Sequence, residues 1–216
     1  GKKMNHIKAY GLDTVEIRSI FKDTKNNLYF ATMGNGWIKY DGKKYLQYTT
    51  KNGLPTDYIL CTSEDKSGNL WLGTYHEGVC KINPQSITTN TVTYKQFKSE
   101  FSGSGSVYCI KQDSKKNIWF GTTNSGVYYL DPKEKINHLE LAGDYNTAII
   151  SKIVEDAMGV LWFATEFGLV KYNHHTLKYY EEKQGLSGNY LTAIAIDHEN
   201  NLWIGTTGQG VCIFKN

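Results

Sequence analysis

The chain has 216 residues, with 24 lysines and arginines against 21 aspartates and glutamates and a net charge of +3. That charge is too mild for field strength alone to call for a nucleic acid, and no run of 18 apolar residues offers a membrane-spanning helix. Sixteen Tyr, eight Phe and five Trp beside three Pro and 21 Gly point instead to many short strands joined by tight turns, in a single all-β domain over residues 1–216.

In chain order, the first predicted element is a strand over residues 4–10, whose sequence from His6 to Leu12 is similar to the stretch YYEEKQGLSGNYL further on. Then one motif recurs five times. Its copies are DTKNNLYFATMGNG from Asp23, DKSGNLWLGTYHEG from Asp65, DSKKNIWFGTTNSG from Asp113, DAMGVLWFATEFG from Asp156 and DHENNLWIGTTGQG from Asp197. The leading aspartates are 42, 48, 43 and 41 residues apart, the size of one four-stranded propeller blade. An alternating apolar run before each Asp reads as strand a, and the Asp with its Lys, Ser, Gly or Asn neighbours reads as the a–b hairpin. Strand b is the Leu-Trp-Ile-Gly-Thr segment, strand c follows the turn glycine, and an aromatic strand d such as Leu177 to Tyr180 closes each unit.

Alternation puts Trp71, Trp119, Trp162 and Trp203 on one face with Gly73, Gly121, Ala164 and Gly205 two positions on, while the first unit has Tyr29 and Ala31 there. A large ring beside a missing side chain lets the next sheet approach closely, so these aromatics are expected in packing between blades. The last unit stops after strand c, and the strand over 4–10 is expected to supply its outer strand within residues 190–216. The expected architecture is a closed five-bladed propeller. The rival is five blades of a larger ring.

These residues resemble the two-component regulator propeller repeat: an Asp, a polar turn, Leu-Trp-Ile-Gly-Thr, a short variable turn, then Gly. A second signature of that family appears as GLPTDYI from Gly53 and GLSGNYL from Gly185. The resemblance implies a non-catalytic periplasmic or extracellular sensor module of the kind found in Bacteroides-like bacteria, which often recognises oligosaccharides. Gly1 reads as a residue left by tag removal, and a native signal or anchor is expected to have gone with it. Partners implied are an oligosaccharide or small polar ligand and a signalling protein, with no nucleic acid and no membrane insertion.

The strand order places the d–a and b–c loops on one face, and the copies vary most there, which is where binding is built in repeat proteins. The candidate ligand-binding residues are Asn35, Asp57, Tyr58, Tyr75, His76, Glu77, Tyr108, Asn124, Tyr145, Glu166, Phe167, Asn189, Tyr190 and Gln209. A ring covers the CH face of a sugar while amides and carboxylates bracket its hydroxyls. No cofactor or metal is expected, because HxH and HExxH spacings are absent and consecutive turn residues such as His76 and Glu77 should point apart. The other function classes are a protein-interaction scaffold, which would show an apolar patch, and an enzyme of glycoside hydrolase or streptogramin lyase type; a glycosidase needs two carboxylates roughly 5 to 10 Å apart. Cys61, Cys80, Cys109 and Cys212 read as small buried hydrophobes in strands.

Overall fold

The computed structural model describes residues 7–88, 91–98, 101 and 105–215. The chain divides into two compact units, residues 1–98 and 99–216. The first holds two antiparallel sheets in up-and-down order: β1 (Ile17–Lys22), β2 (Leu28–Thr32), β3 (Trp37–Tyr40) and β4 (Tyr45–Tyr48), then β5 (Ile59–Glu64), β6 (Leu70–Thr74), β7 (Val79–Ile82) and β8 (Lys95–Phe97). The second holds three: β9 (Val107–Gln112) to β12 (Ile136–Leu139) through β10 (Ile118–Thr122) and β11 (Val127–Leu130); β13 (Ile150–Glu155) to β16 (Leu177–Tyr180) through β14 (Leu161–Thr165) and β15 (Leu169–Tyr172); and a three-stranded sheet of β17 (Leu191–Ile196), β18 (Leu202–Thr206) and β19 (Val211–Phe214). These are the expected all-β blades, one per repeat.

The leading aspartate of each repeat does more than shape a turn. In the third sheet Asp113 Oδ1 accepts from the Asn117 amide at 2.8 Å, while Oδ2 accepts from the Asn117 side chain at 2.7 Å and from the Trp119 indole Nε1 at 2.8 Å. Asp65, Asp156 and Asp197 hold Trp71, Trp162 and Trp203 at 2.9, 3.0 and 2.8 Å, and Asp23 holds the Tyr29 hydroxyl at 3.1 Å. One carboxylate thus ties the hairpin to the ring six residues on, and bonds to a charged acceptor are the stronger kind. The motif threonine is equally committed: Thr32, Thr74, Thr122, Thr165 and Thr206 each donate to the carbonyl of the following turn glycine.

Within each unit the sheets pack as the alternation predicts. Tyr29, Ala31 and Trp37 meet Ile59, Leu70 and Leu72 in the first unit. In the second, Trp119 and Val127 meet Ile150, Ile153 and Phe163, and Trp162, Ala164 and Leu169 meet Leu191, Ile194, Leu202 and Ile204. A Cβ placed on Gly121 would lie 2.7 Å from Ile150 Cγ2, so the glycine is required by the close approach of the next sheet. Polar ties reinforce the stack: Glu64 accepts from Thr24 N and Oγ1 at 2.8 and 2.9 Å, and Glu155 accepts from Ser114 N at 2.9 Å. The ladder of every strand a also shifts register by one residue five positions before its Asp, at Arg18, Leu60, Tyr108, Ser151 and Thr192. A bulge of this kind re-aims a side chain, and Ser151 uses it to donate to Leu191 O in the neighbouring strand a at 2.8 Å.

Two expectations need correction. Of the strand expected over 4–10, residues 4–6 lie outside the described residues, and the remainder is not a strand: Ala9–Gly11 form a 3-10 turn. The same kind of turn, Thr50–Asn52 and Glu182–Gln184, follows β4 and β16 and leads to Gly53 and Gly185, so residues 7–10 occupy a linker and not an outer strand. The final sheet has three strands among the described residues. The second correction is Trp203, which keeps its bond to Asp197 but is 44 % exposed, with no further sheet of its own unit following it among the described residues. Cys61, Cys80 and Cys109 are buried as expected, with burial pushing the Cys80 and Cys109 thiols up to about 12, while Cys212 is half-buried.

Replacing Asp113 with Ala leaves the Trp119 indole and the Asn117 amide without acceptors, and should lower the unfolding free energy by about 3 kcal/mol, read from denaturant midpoints. Asp197→Ala, beside a solvent-exposed ring, should cost clearly less. The Trp203 indole holds the Asp197 carboxyl down to about 2 from an ordinary 3.8. The contribution of Asp197 is therefore present above its unfolded pKa and lost as pH falls towards 2. The stability gap between wild type and Asp197→Ala should be flat above pH 4 and close below it; a gap that widens in acid would contradict the assignment.

Candidate functional site

In the second unit a cavity of about 540 Å³ opens between the β12–β13 link, the β14–β15 turn and the β16–β17 link. These are the d–a and b–c loops of the fourth repeat, brought to one face as the strand order requires. The β12–β13 link folds as a 3-10 turn, Gly143–Thr147, in place of the Gly-Leu signature seen at Gly53 and Gly185, and this carries the Tyr145 ring inward, where it is buried. Its hydroxyl lies 2.8 Å from Phe167 O and 3.2 Å from Glu181 Oε1. Tyr145 also stands edge-on to Phe167, with ring centroids 6.0 Å apart, and 4.8 Å from Tyr179. Tyr179 is itself fixed, since its hydroxyl accepts the Ala142 amide at 2.8 Å.

The β14–β15 turn is one residue shorter than in the other repeats, and it closes on Gly168 at φ +137. A Cβ there would collide with Tyr180 O and come within 2.9 Å of the Tyr145 hydroxyl. That short turn leaves Phe167 38 % exposed at the cavity wall and aims Glu166 at the Ile149 amide, 3.1 Å away. Asn189 lines the opposite side, with Oδ1 accepting from Glu182 N at 2.8 Å.

The polar wall is acidic: Asp144, Glu166 and Glu181 all line the cavity. The Lys183 ammonium, 3.0 Å from Glu181, holds that carboxyl below its usual range, with a further contribution from the Tyr145 hydroxyl. Burial, then the Glu181 charge and hydrogen bond, pushes the Tyr145 hydroxyl well above its ordinary value, so it remains a neutral donor.

Four of the fourteen sequence candidates meet here: Tyr145, Glu166, Phe167 and Asn189. Nearby, Gln209 lies against Gly188, and Tyr190, 48 % exposed, accepts the Thr207 amide through its carbonyl. Tyr108 is the bulge residue of β9, and Asn124 takes a left-handed conformation in the β10–β11 turn at φ 59. The first-unit candidates serve local structure. Asn35 donates to Tyr10 O, Asp57 accepts the Thr50 amide at 2.6 Å, and Tyr58 bridges to Met33. Glu77 pairs with Lys98 at 2.8 Å. His76 is left-handed at φ 66, and its ring lies tilted against that of Tyr75 with centroids 3.8 Å apart.

Tyr179 and Glu181 are absent from the sequence candidates because strand d reads as scaffold. The available signal was the run Tyr179-Tyr180-Glu181, whose alternation places Tyr179 and Glu181 on one side.

The blades, their aspartate-held rings and the variable loop face define a β-propeller repeat protein. Three segments of the chain, residues 53–76, 102–124 and 185–208, match the family model described as two component regulator propeller. It is 31 % identical over 207 residues to histidine kinase P4 of Formosa agariphila, a match covering 90 % of this chain and 15 % of that protein. The extracellular domain of the putative hybrid two component system BT4673 from B. thetaiotaomicron has the same fold, with a TM-score of 0.76 at 23 % identity over 92 % of this chain and 27 % of that one. A virginiamycin B lyase from Staphylococcus aureus, solved with quinupristin, also shares it, with a TM-score of 0.72 at 15 % identity over 97 % and 72 % of the two chains. The chain spans about a sixth of the kinase and about a quarter of the BT4673 domain.

Lys183→Met removes the main cause of the low Glu181 pKa, so NMR titration of the Glu181 carboxyl should show it move up towards the ordinary carboxylate range. An unmoved titration would show that Lys183 does not reach it. Gly168→Ala should lower stability by about 2 kcal/mol or more, since it strains a positive φ and displaces Tyr145, and unfolding midpoints check it.

Proposed function

We propose that this chain is a non-catalytic, extracytoplasmic sensor-type propeller that binds an oligosaccharide or a comparable polyhydroxylated ligand in the Tyr145–Phe167 cavity. One observation carries this reading. A cavity of about 540 Å³ combines three rings with carboxylate and amide groups, the apolar-with-few-polar composition of small-molecule sites. Phe167 offers an exposed ring face for CH groups, while Glu166, Asp144 and Asn189 can take hydroxyls. The family match and the extracellular domain that shares the fold support a sensing role outside the cytoplasm. A signalling protein would then read the ligand-bound state.

The glycosidase alternative needs one carboxyl of a pair to hold a proton. Glu181 is displaced in the opposite direction by Lys183 and Tyr145, and Glu166 is engaged as a backbone acceptor. Glu181 is thereby suited to accepting hydrogen bonds as a carboxylate.

A glycan array followed by calorimetry on the best oligosaccharide tests the reading. Binding is expected, with Phe167→Ala and Asn189→Ala each weakening it about tenfold or more, a loss of roughly 1.4 kcal/mol, and with no change in the sugar after incubation. Absence of any bound glycan, or binding indifferent to Phe167, would contradict it, and cleavage of the sugar would favour the enzyme.

A further inference from the structure

The row of side chains that runs from the strand-b ring across strands c and d differs between repeats. In the second sheet it reads Trp71, Lys81, Lys95, and in the fourth Trp162, Lys171, Lys178. In the first it reads Tyr29, Lys39, Leu46, and in the third Trp119, Tyr129, Asn137. The second and fourth sheets thus set two lysines directly opposite each other on neighbouring strands, an arrangement that like-charge repulsion disfavours. The strand-c ammonium of each pair is held over its ring, Lys81 at 5.5 Å from the Trp71 centroid and Lys171 at 4.7 Å from that of Trp162.

The c–d hairpins change together with the lysines. Two residues after the strand-c position stand Asp41 and Asp131 in the first and third repeats, but Asn83 and Asn173 in the second and fourth. The turn itself does not ask for this difference. Asp41 accepts the Lys43 and Lys44 amides at 2.9 Å, and Asp131 accepts those of Lys133 and Lys135 at 2.8 and 2.9 Å. Asn173 does the same for the His175 and Thr176 amides at 3.0 and 2.7 Å, and Asn83 for the Gln85 amide at 2.9 Å. What changes is the charge: beside each lysine pair, a neutral amide that carries donors replaces a carboxylate. Each pair also lines a cavity with its Asn, of about 130 Å³ around Lys171, Asn173, Thr176 and Lys178, and of about 390 Å³ at the equivalent Lys81, Asn83, Ser86 and Lys95. Among the described residues, no carboxylate lines either cavity.

We propose that each lysine pair binds a tetrahedral oxyanion, a sulfate or phosphate group, between its two ammoniums. The observation that carries this is the joint change at two positions: the same two repeats set a second lysine opposite the first and lack the hairpin acid. An anion between the lysines turns their mutual repulsion into two attractions, and the Asn side chain offers it donors where an Asp would repel it. Each site is built within its own unit. The fourth-repeat site sits at the hairpin end of β15 and β16, whereas the Tyr145 cavity lies at their other end, so the two bind independently.

Inorganic sulfate is the probe, titrated at constant ionic strength while NMR follows the lysine ε-CH₂ signals. Lys81, Lys95, Lys171 and Lys178 should shift along saturating curves. Asn173→Asp restores the acid of the other repeats while keeping the turn acceptor, so its unfolding midpoint should stay close to wild type. It should abolish saturation at Lys171 and Lys178 and leave Lys81 and Lys95 unchanged, and Asn83→Asp should do the converse. Lys178→Leu, which copies Leu46 of the first repeat, should weaken sulfate at Lys171 about tenfold or more. A sulfated monosaccharide set against its unsulfated form distinguishes the source of the group: tighter binding than inorganic sulfate assigns it to a sugar ester, and equal or weaker binding assigns it to the free ion. Failure of either pair to saturate with inorganic sulfate overturns the proposal, as does saturation that survives the Asn→Asp change at its own site.

Discussion

A carboxylate that caps a hairpin and accepts an indole proton sets the geometry on which the other contacts rest. Asp113, Asp65 and Asp156 are buried, and each would be costly to desolvate alone. Two or three backbone and amide donors and one ring N–H surround each, and together they offset that cost. The bond fixes the ring on one face of the sheet, the ring needs a glycine or alanine two residues on, and the gap so formed admits strand a of the following sheet. The motif is therefore spent on the scaffold. Asp, Trp, Gly and Thr each have a structural partner, which leaves recognition to the loops where the copies differ.

The cavity lies where the repeat departs most from its own pattern. The fourth repeat has a two-residue b–c turn where the others have three, and its entry link lacks the Gly-Leu signature seen at Gly53 and Gly185. The short turn brings Phe167 and Gly168 towards the link, and the 3-10 turn Gly143–Thr147 fills the approach with Tyr145. A single ring, anchored to Phe167 O and Glu181, thereby joins three segments; Lys183 chiefly lowers the Glu181 pKa with a further contribution from the Tyr145 hydroxyl, and burial chiefly raises that of Tyr145, with Glu181 adding to it.

Much of this was legible in the residues alone. The spacing of five aspartates gave the blade period, and alternation in strand b identified the packing face and its small partner residues correctly for Trp119 and Trp162. The pairing of d–a with b–c loops on one face also held, as Tyr145, Glu166, Phe167 and Asn189 demonstrate. Local pattern could not reveal that Trp203 is exposed, because burial of a sheet face depends on whether a neighbour lies on it and not on the sheet's own sequence. Nor could it separate Tyr145, whose ring turns inward, from Tyr58 or Tyr190, whose rings stay out, since all three sit in equivalent polar links. Tyr179 and Glu181 were hidden by their strand, where alternation was read as packing. Of the N-terminal stretch, residues 4–6 lie outside the described residues, and Ala9–Gly11 matches the 3-10 turn of the links and not the strand before it.

The central claim is that buried aspartate carboxylates hold the indoles and thereby fix each sheet's packing face. Hydrogen exchange of the tryptophan indole protons, followed by NMR on dilute protein, tests it most directly. The account predicts strongly protected Nε1 protons for Trp71, Trp119 and Trp162, and a Trp203 proton that exchanges much faster although it has the same acceptor. Indole protons of Trp71, Trp119 and Trp162 that exchange as readily as that of Trp203 would contradict it.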